Sequence, residues 1–254
     1  MTKILAISNQ KGGVGKTTTA VNLSAALGMK GKKVLLVDLD PQGNATSSSG
    51  LEKNKIKQTV YDLLINDLDI TEVICKGKFY DVMPANQNLA AAELEMVNIK
   101  HRESLLKNKL HQKNQYDYIL LDCPPSLGLI TLNGLTAAHS VLIPMQCEYF
   151  ALEGLTDLVN TIKKVKQFMN TDIQIEGLLR TIYDGRNTLT KEVSAQLSAY
   201  FPNKVYKTIV PRNVRIAEAP SHGLSAIQFD KRSKGAKAYL ELANEIILKE
   251  KNND

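Results

Sequence analysis

Cysteine is scarce in this chain, long apolar runs are absent, and no segment is repetitive. The 254 residues carry three cysteines, Cys75, Cys123 and Cys147, spread far apart. Neither a CxxC pair nor a histidine at metal-ligand spacing accompanies them. That argues against a metal-thiolate site and for a reducing compartment, with the three thiols as small buried side chains. No apolar run approaches the about 20 residues that a membrane-spanning helix needs. The opening MTKILAISNQ lacks both the basic region and the small-residue cleavage site of a secretory leader, and reads as a first strand. Internal repeats and low-complexity linkers are also missing, so one domain over residues 1–254 is the simplest organisation.

What is present is ordinary globular composition, 43% hydrophobic and 23% charged, with a formal net charge of +6. The positive balance favours an anionic partner without identifying one. Apolar runs at 4–8, 34–37, 80–83, 116–121, 141–143, 173–179 and 205–209 read as strands. The runs at 141–143 and 80–83 are each closed by a proline, Pro144 and Pro84. Helical patterns cover 17–29, 60–65, 101–113 (a surface helix), 151–168, 191–200 and 235–249. Residues 41–58, rich in Gly, Asn, Ser and Lys, read as a mobile loop. Continuous apolar strands alternating with helices predict an α/β fold: a mostly parallel central sheet flanked by helices on both faces. Such sheets bind ligands at the carboxyl ends of their strands, where every motif below falls.

The first strand runs into Lys11-Gly12-Gly13-Val14-Gly15-Lys16-Thr17-Thr18 and then at once into a helix. Glycines let backbone amides close on an anion, and the helix N-terminus adds partial positive charge at the same point. In such a phosphate-binding loop Lys16 reaches the β- and γ-phosphates and the Thr17 hydroxyl binds Mg²⁺. The usual first glycine is replaced by Gln10, and a second lysine, Lys11, stands beside it. Asp38 and Asp40 end the second strand in DLDPQGNAT, and Asp122 ends a later one in YDYILLDCPPSLG. An aspartate closing an apolar strand beside such a loop fits support of Mg²⁺, usually through water, and Asp122 takes that role.

The order KGGVGKTT, DLDPQGNAT, DCPPSLG, PMQCEYFALEGL and VPRNVRIAEAPSHG, running from residue 3 to about 247, resembles the ParA/Soj branch of the deviant-Walker P-loop ATPases. That resemblance implies a slow, Mg²⁺-dependent ATPase that forms a homodimer around ATP. Lys11 would reach the phosphates of the partner subunit, Asp38 would lie near the magnesium shell, and Asp40 would position the attacking water. Pro124, Pro125 and the residues 126–129 resemble the γ-phosphate sensor, and Pro211 and Asn213 would lie beside the adenine. It further implies sequence-nonspecific binding of double-stranded DNA by the dimer, with Arg180, Arg186, Arg212, Arg215, Lys231, Arg232 and Lys234 as candidate phosphate contacts. A ParB-type protein would stimulate hydrolysis. The expected location is the cytoplasm, associated with the nucleoid. The P-loop begins too early to leave room for an N-terminal helix-turn-helix, so operator-specific repression is not expected.

Two relatives imply rival functions. A MinD-like membrane switch needs a basic amphipathic C-terminal helix on lipid. The segment 237–251 is the candidate, but its apolar stripe of Tyr239, Leu240, Leu242, Ala243, Ile246 and Ile247 more simply packs on the core, and Asn252-Asn253-Asp254 is no lipid anchor. No membrane partner is therefore expected. A nitrogenase-iron-protein-like carrier needs cysteines from both subunits around an iron–sulfur cluster, and Cys123 has no second cysteine in a suitable position.

Overall fold

Alternating side chains along the apolar strands bury themselves on opposite faces of one sheet, and helices cover both. The computed structural model describes residues 2–110 and 115–251. Its strands are β1 (Lys3–Ile7), β2 (Val34–Asp38), β3 (Asp81–Met83), β4 (Tyr118–Asp122), β5 (Ser140–Met145), β6 (Gln174–Tyr183) and β7 (Val205–Pro211). They form one sheet in the order β3-β2-β4-β1-β5-β6-β7, every neighbouring pair parallel. The helices are α1 (Lys16–Met29), α2 (Asn44–Ser48), α3 (Val60–Ile65), α4 (Ile70–Val73), α5 (Leu89–Glu95), α6 (Leu105–Leu110), α7 (Leu129–Ala137), α8 (Ala151–Phe168), α9 (Thr188–Tyr200), α10 (Val214–Glu218), α11 (Ala226–Phe229) and α12 (Lys234–Lys251).

In β1, Ile4 and Ala6 join a core beneath α3, α5, α7 and α8, while Leu5 and Ile7 join a second core beneath α1 and α12. Strands β2 and β4 divide in the same way, Leu35, Val37, Ile119 and Leu121 against Val34, Leu36, Tyr118 and Leu120. The two-residue period of a strand thus serves two cores at once.

Three expectations need correction. The segment 41–58 is not simply a mobile loop. It contains α2, whose Ala45, Thr46 and Ser48 are buried, because Asp38 and the Ala85 backbone N–H both bond to Thr46. The strand expected to stop before Pro144 runs through it to Met145. The Pro144 carbonyl accepts from Asn9 Nδ2 on the β1 side, beyond the last β1 partner, Leu142, so the missing N–H falls where β1 has already ended. The helix expected over 101–113 is a 3₁₀ turn at Arg102–Ser104 followed by α6, with Leu106 and Leu110 buried. Residues 111–113 lie outside the described residues, as do 252–254.

Candidate functional site

The carboxyl ends of β1, β2 and β4 lie side by side, with Asp122 registered between Ile7 and Asp38. The chain leaving β1 forms the glycine loop. Gly13 and Gly15 take φ of +74° and +85°, a left-handed backbone that side chains resist. A Cβ at Gly12 or Gly13 would meet nothing within 4 Å, so these positions face open space rather than packed protein. Val14 is buried and its carbonyl accepts from the Thr181 hydroxyl of β6 at 2.7 Å, which fastens the loop from across the sheet. Asn9 braces the entry, donating to the Pro144 carbonyl and accepting from the Lys11 backbone N–H.

Lys16 is 7% exposed, and its ammonium donates to the Lys11 carbonyl at 3.1 Å. Burial pulls its pKa down, while the nearby charges of Asp122, Cys123 and Asp40 oppose that shift. The two buried carboxylates show the opposite imbalance. Burial pushes Asp38 up to about 6, against the bonds it accepts from Thr46 N (2.8 Å), Thr46 Oγ1 (2.7 Å) and Asp40 N (3.1 Å). Burial first, and the Asp38 charge second, push Asp122 well above the ordinary carboxylate range. Neither Asp122 oxygen makes a well-formed hydrogen bond among the described residues, although the Thr17 hydroxyl is close enough to ease its charge.

An under-stabilised ammonium beside two under-stabilised carboxylates is a site short of charge partners. An anion against Lys16 and a dication against Asp122 and Thr17 would correct both. Among the described residues no cluster of three or more His, Cys, Asp or Glu is built to hold a metal alone. A carboxylate and a hydroxyl are hard oxygen donors of the kind that suit Mg²⁺, which keeps waters and shares its ligands with phosphate. Asp38 has its oxygens filled from its own loop, whereas neither Asp122 oxygen is so engaged among the described residues. Asp40 is partly exposed, its carboxylate accepting from Gln42 N at 2.9 Å.

Lys11 is not free. Its ammonium pairs with Glu148, just beyond β5, at 2.6 Å, with side-chain exposures of 40% and 53%. Beside Glu148, Tyr149 and Phe150 are 75% and 65% exposed, their rings edge to face.

Next to the glycine loop a cleft of about 420 Å³ is walled by Ile182, Pro211, Ile216 and Pro220, with polar groups from Thr18, Gln146 and Asn213. Pro211 and Asn213 both line this cleft together with Gly15 of the loop. The Asn213 Oδ1 already accepts from the Ile216 N–H as the N-cap of α10, which leaves its NH₂ for a ligand. Sequence reasoning missed Gln146, Thr181 and Ile182. All three lie at or near the carboxyl ends of β5 and β6, and that position was the available signal. A slightly larger cleft, about 440 Å³, lies at the opposite end of the sheet by the start of β2 and the end of α1, away from the loop.

The basic residues separate into three groups. Arg180 is half-buried and donates to Ser194 Oγ (2.9 Å) and the Tyr206 carbonyl (2.7 Å), tying β6 to α9 and β7. Of the expected DNA-contacting residues it is the one whose guanidinium is most engaged within the fold. Arg186 is 91% exposed but doubly bonded to Asp184, which holds that carboxyl well below the usual range. Arg215 pairs with Glu218 (2.9 Å) and Asp230 (3.6 Å). Arg212, Lys231, Arg232 and Lys234 are exposed and make no ion pair among the described residues.

The whole chain has relatives. The family of AAA domains matches residues 2–175. The sporulation initiation inhibitor protein Soj of Bacillus subtilis is 55% identical over 249 residues, 97% of this chain and 98% of the relative. The chromosome partitioning protein ParA of Caulobacter vibrioides is 43% identical over 98% of this chain and 95% of its own length. A solved structure from Mycobacterium smegmatis, described as a cobyrinic acid a,c-diamide synthase with bound ATP analogue and magnesium, is 38% identical, has a TM-score of 0.88, and covers 100% of this chain and 98% of its own. On this likeness, in a fold whose β1 runs directly into a glycine cradle, the chain belongs to the ParA/Soj family of chromosome-partitioning ATPases.

Proposed function

We propose that this chain hydrolyses Mg²⁺-ATP slowly, dimerises around it, binds DNA non-specifically as the dimer, and is released when a ParB-type protein stimulates hydrolysis. The observation that carries the reading is Asp122, a fully buried carboxylate with neither oxygen well bonded, one strand from a glycine cradle holding a buried lysine. In this reading the amides of residues 11–18 and the Lys16 ammonium hold the phosphates, and Thr17 and Asp122 hold Mg²⁺, with Asp38 behind them. When bound, Mg²⁺ offsets phosphate charge and so allows a carboxylate to approach. Asp40, less buried than the other two aspartates, orients the attacking water. Pro211 and the Asn213 NH₂ meet the base.

Lys11 acts on the partner's nucleotide after leaving Glu148. An exposed pair of this kind is worth at most about 1 kcal/mol, so a γ-phosphate outcompetes it. The DNA surface is centred on Arg212, Lys231, Arg232 and Lys234, with Arg215 and Arg186 joining once their carboxylates are displaced by phosphate. Reading the chain as DNA-bound rather than held on a membrane by its last helix is supported by α12. Its Ala236, Ala238, Tyr239, Leu242, Ala243 and Ile246 are buried, so these apolar positions pack on the core rather than on lipid. No helix among the described residues is long and apolar enough to cross a membrane.

The test is DNA co-sedimentation with the Asp40→Ala protein in ATP and in ADP over a series of salt concentrations. Phosphate-only contacts require binding in ATP alone, a steep loss with salt, and equal affinity for unrelated sequences. Binding that ignores both nucleotide and salt would defeat the reading.

A further inference from the structure

Among the described residues three non-glycine residues take positive φ: Asp67, His101 and Ile182. Asp67 and His101 are turn residues of types that tolerate it, whereas Ile182 is β-branched, lies inside β6, and has φ of +49°. For such a side chain the left-handed region is a true outlier, held only where the surroundings over-determine it. The sheet records the same distortion. Between Arg180 and Tyr183 the chain of β6 takes three steps while its partner β7 takes two, Ile209 to Pro211, so Ile182 sits in a bulge.

Both sides of this bulge are anchored to functional segments. Thr181 donates to the Val14 carbonyl of the glycine loop. The Tyr183 carbonyl accepts from the Arg212 N–H at 3.1 Å. Asp184 then receives Arg186 through two side-chain bonds and one backbone bond, and Asn187 caps α9. The Ile182 side chain itself forms part of the wall of the cleft beside the glycine loop.

We propose that Ile182 is a strained two-state joint that couples occupation of the base cleft to the arginine-bearing loop 184–187. A ring packed against the Ile182 side chain in the cleft favours the unstrained extended backbone, and that relaxation moves residues 183–187 and loosens Arg186 from Asp184. The inference rests on reading the cleft as the nucleotide site.

Hydrogen–deuterium exchange of the full chain, with and without Mg²⁺ and a non-hydrolysable ATP analogue, tests it. In the parent, the analogue protects residues 12–18 and changes exchange at 183–187 about tenfold, the scale of one strained residue. At analogue concentrations that saturate each variant, Ile182→Gly, for which the left-handed state costs nothing, loses the response at 183–187 whatever its affinity. Ile182→Val keeps the response, and Ile182→Asn replaces the glycine variant if that one folds poorly. A purely packing role would alter exchange equally with and without the analogue. Protection at 12–18 with no response at 183–187 in the parent, or an equal response in the glycine variant, overturns the joint alone. Absence of protection at 12–18 in the parent removes the nucleotide reading, and the joint with it.

Discussion

Asp122 is a fully buried carboxylate with no well-formed hydrogen bond among the described residues. Its carboxyl is raised by burial and by Asp38, so folding without a cation costs free energy at neutral pH. Asp122→Asn is therefore expected to raise the stability of the nucleotide-free protein by about 1 kcal/mol or more, a few degrees in thermal melting, while removing the Mg²⁺-dependent gain on adding ATP. The pH dependence follows from Asp38, whose folded pKa of about 6 exceeds the unfolded value. A group of this kind binds its proton more tightly when folded, so its contribution is complete below about pH 4 and is lost as pH rises through about 6. Urea unfolding of the nucleotide-free protein should show a component of about 3 kcal/mol disappearing across that window. Mg²⁺-ATP should flatten it, and a component of opposite sign would refute the assignment of Asp38.

Among the elements, α2 shows how a polar stretch becomes fixed structure. Thr46 donates its N–H and hydroxyl to Asp38 while its hydroxyl accepts from the Ala85 N–H, so one side chain joins the end of β2 to the segment after β3. Thr46→Val should cost about 1–3 kcal/mol by leaving the Ala85 N–H and an Asp38 lone pair unpartnered, and Thr46→Ser should recover most of it in urea unfolding.

This is also where the sequence reading stopped short. The apolar runs and α8 were legible because burial on both sheet faces, or a hydrophobic stripe, writes a period into the chain. The glycine loop and the three aspartates were legible because their chemistry is local. The helix α2 was not, since NATSS has no apolar period and folds through Thr46 contacts 8 and 39 residues away. Pro144 misled for a related reason, because a proline stops a strand only where a neighbour needs its N–H. Arg180 looked like any surface arginine, and only the placement of Ser194 and Tyr206 reveals its internal role.

At the scale of the whole molecule, the exposed cation Lys11, the exposed rings of Tyr149 and Phe150 and the open glycine cradle all lie at the carboxyl edge of the sheet. A monomer leaves them in water. A second copy facing the first would bury the rings and give Lys11 a phosphate in place of Glu148, so nucleotide and dimer would form one equilibrium. The direct measurement is the solution molar mass of the Asp40→Ala protein by light scattering, with Mg²⁺-ADP and with Mg²⁺-ATP, beside the same protein carrying Lys11→Ala. The expected mass is about 28 kDa in ADP and twice that in ATP, with a return to the monomer mass in ATP when Lys11 is removed. A protein that stays monomeric in saturating ATP, or that dimerises as well without Lys11, would contradict it.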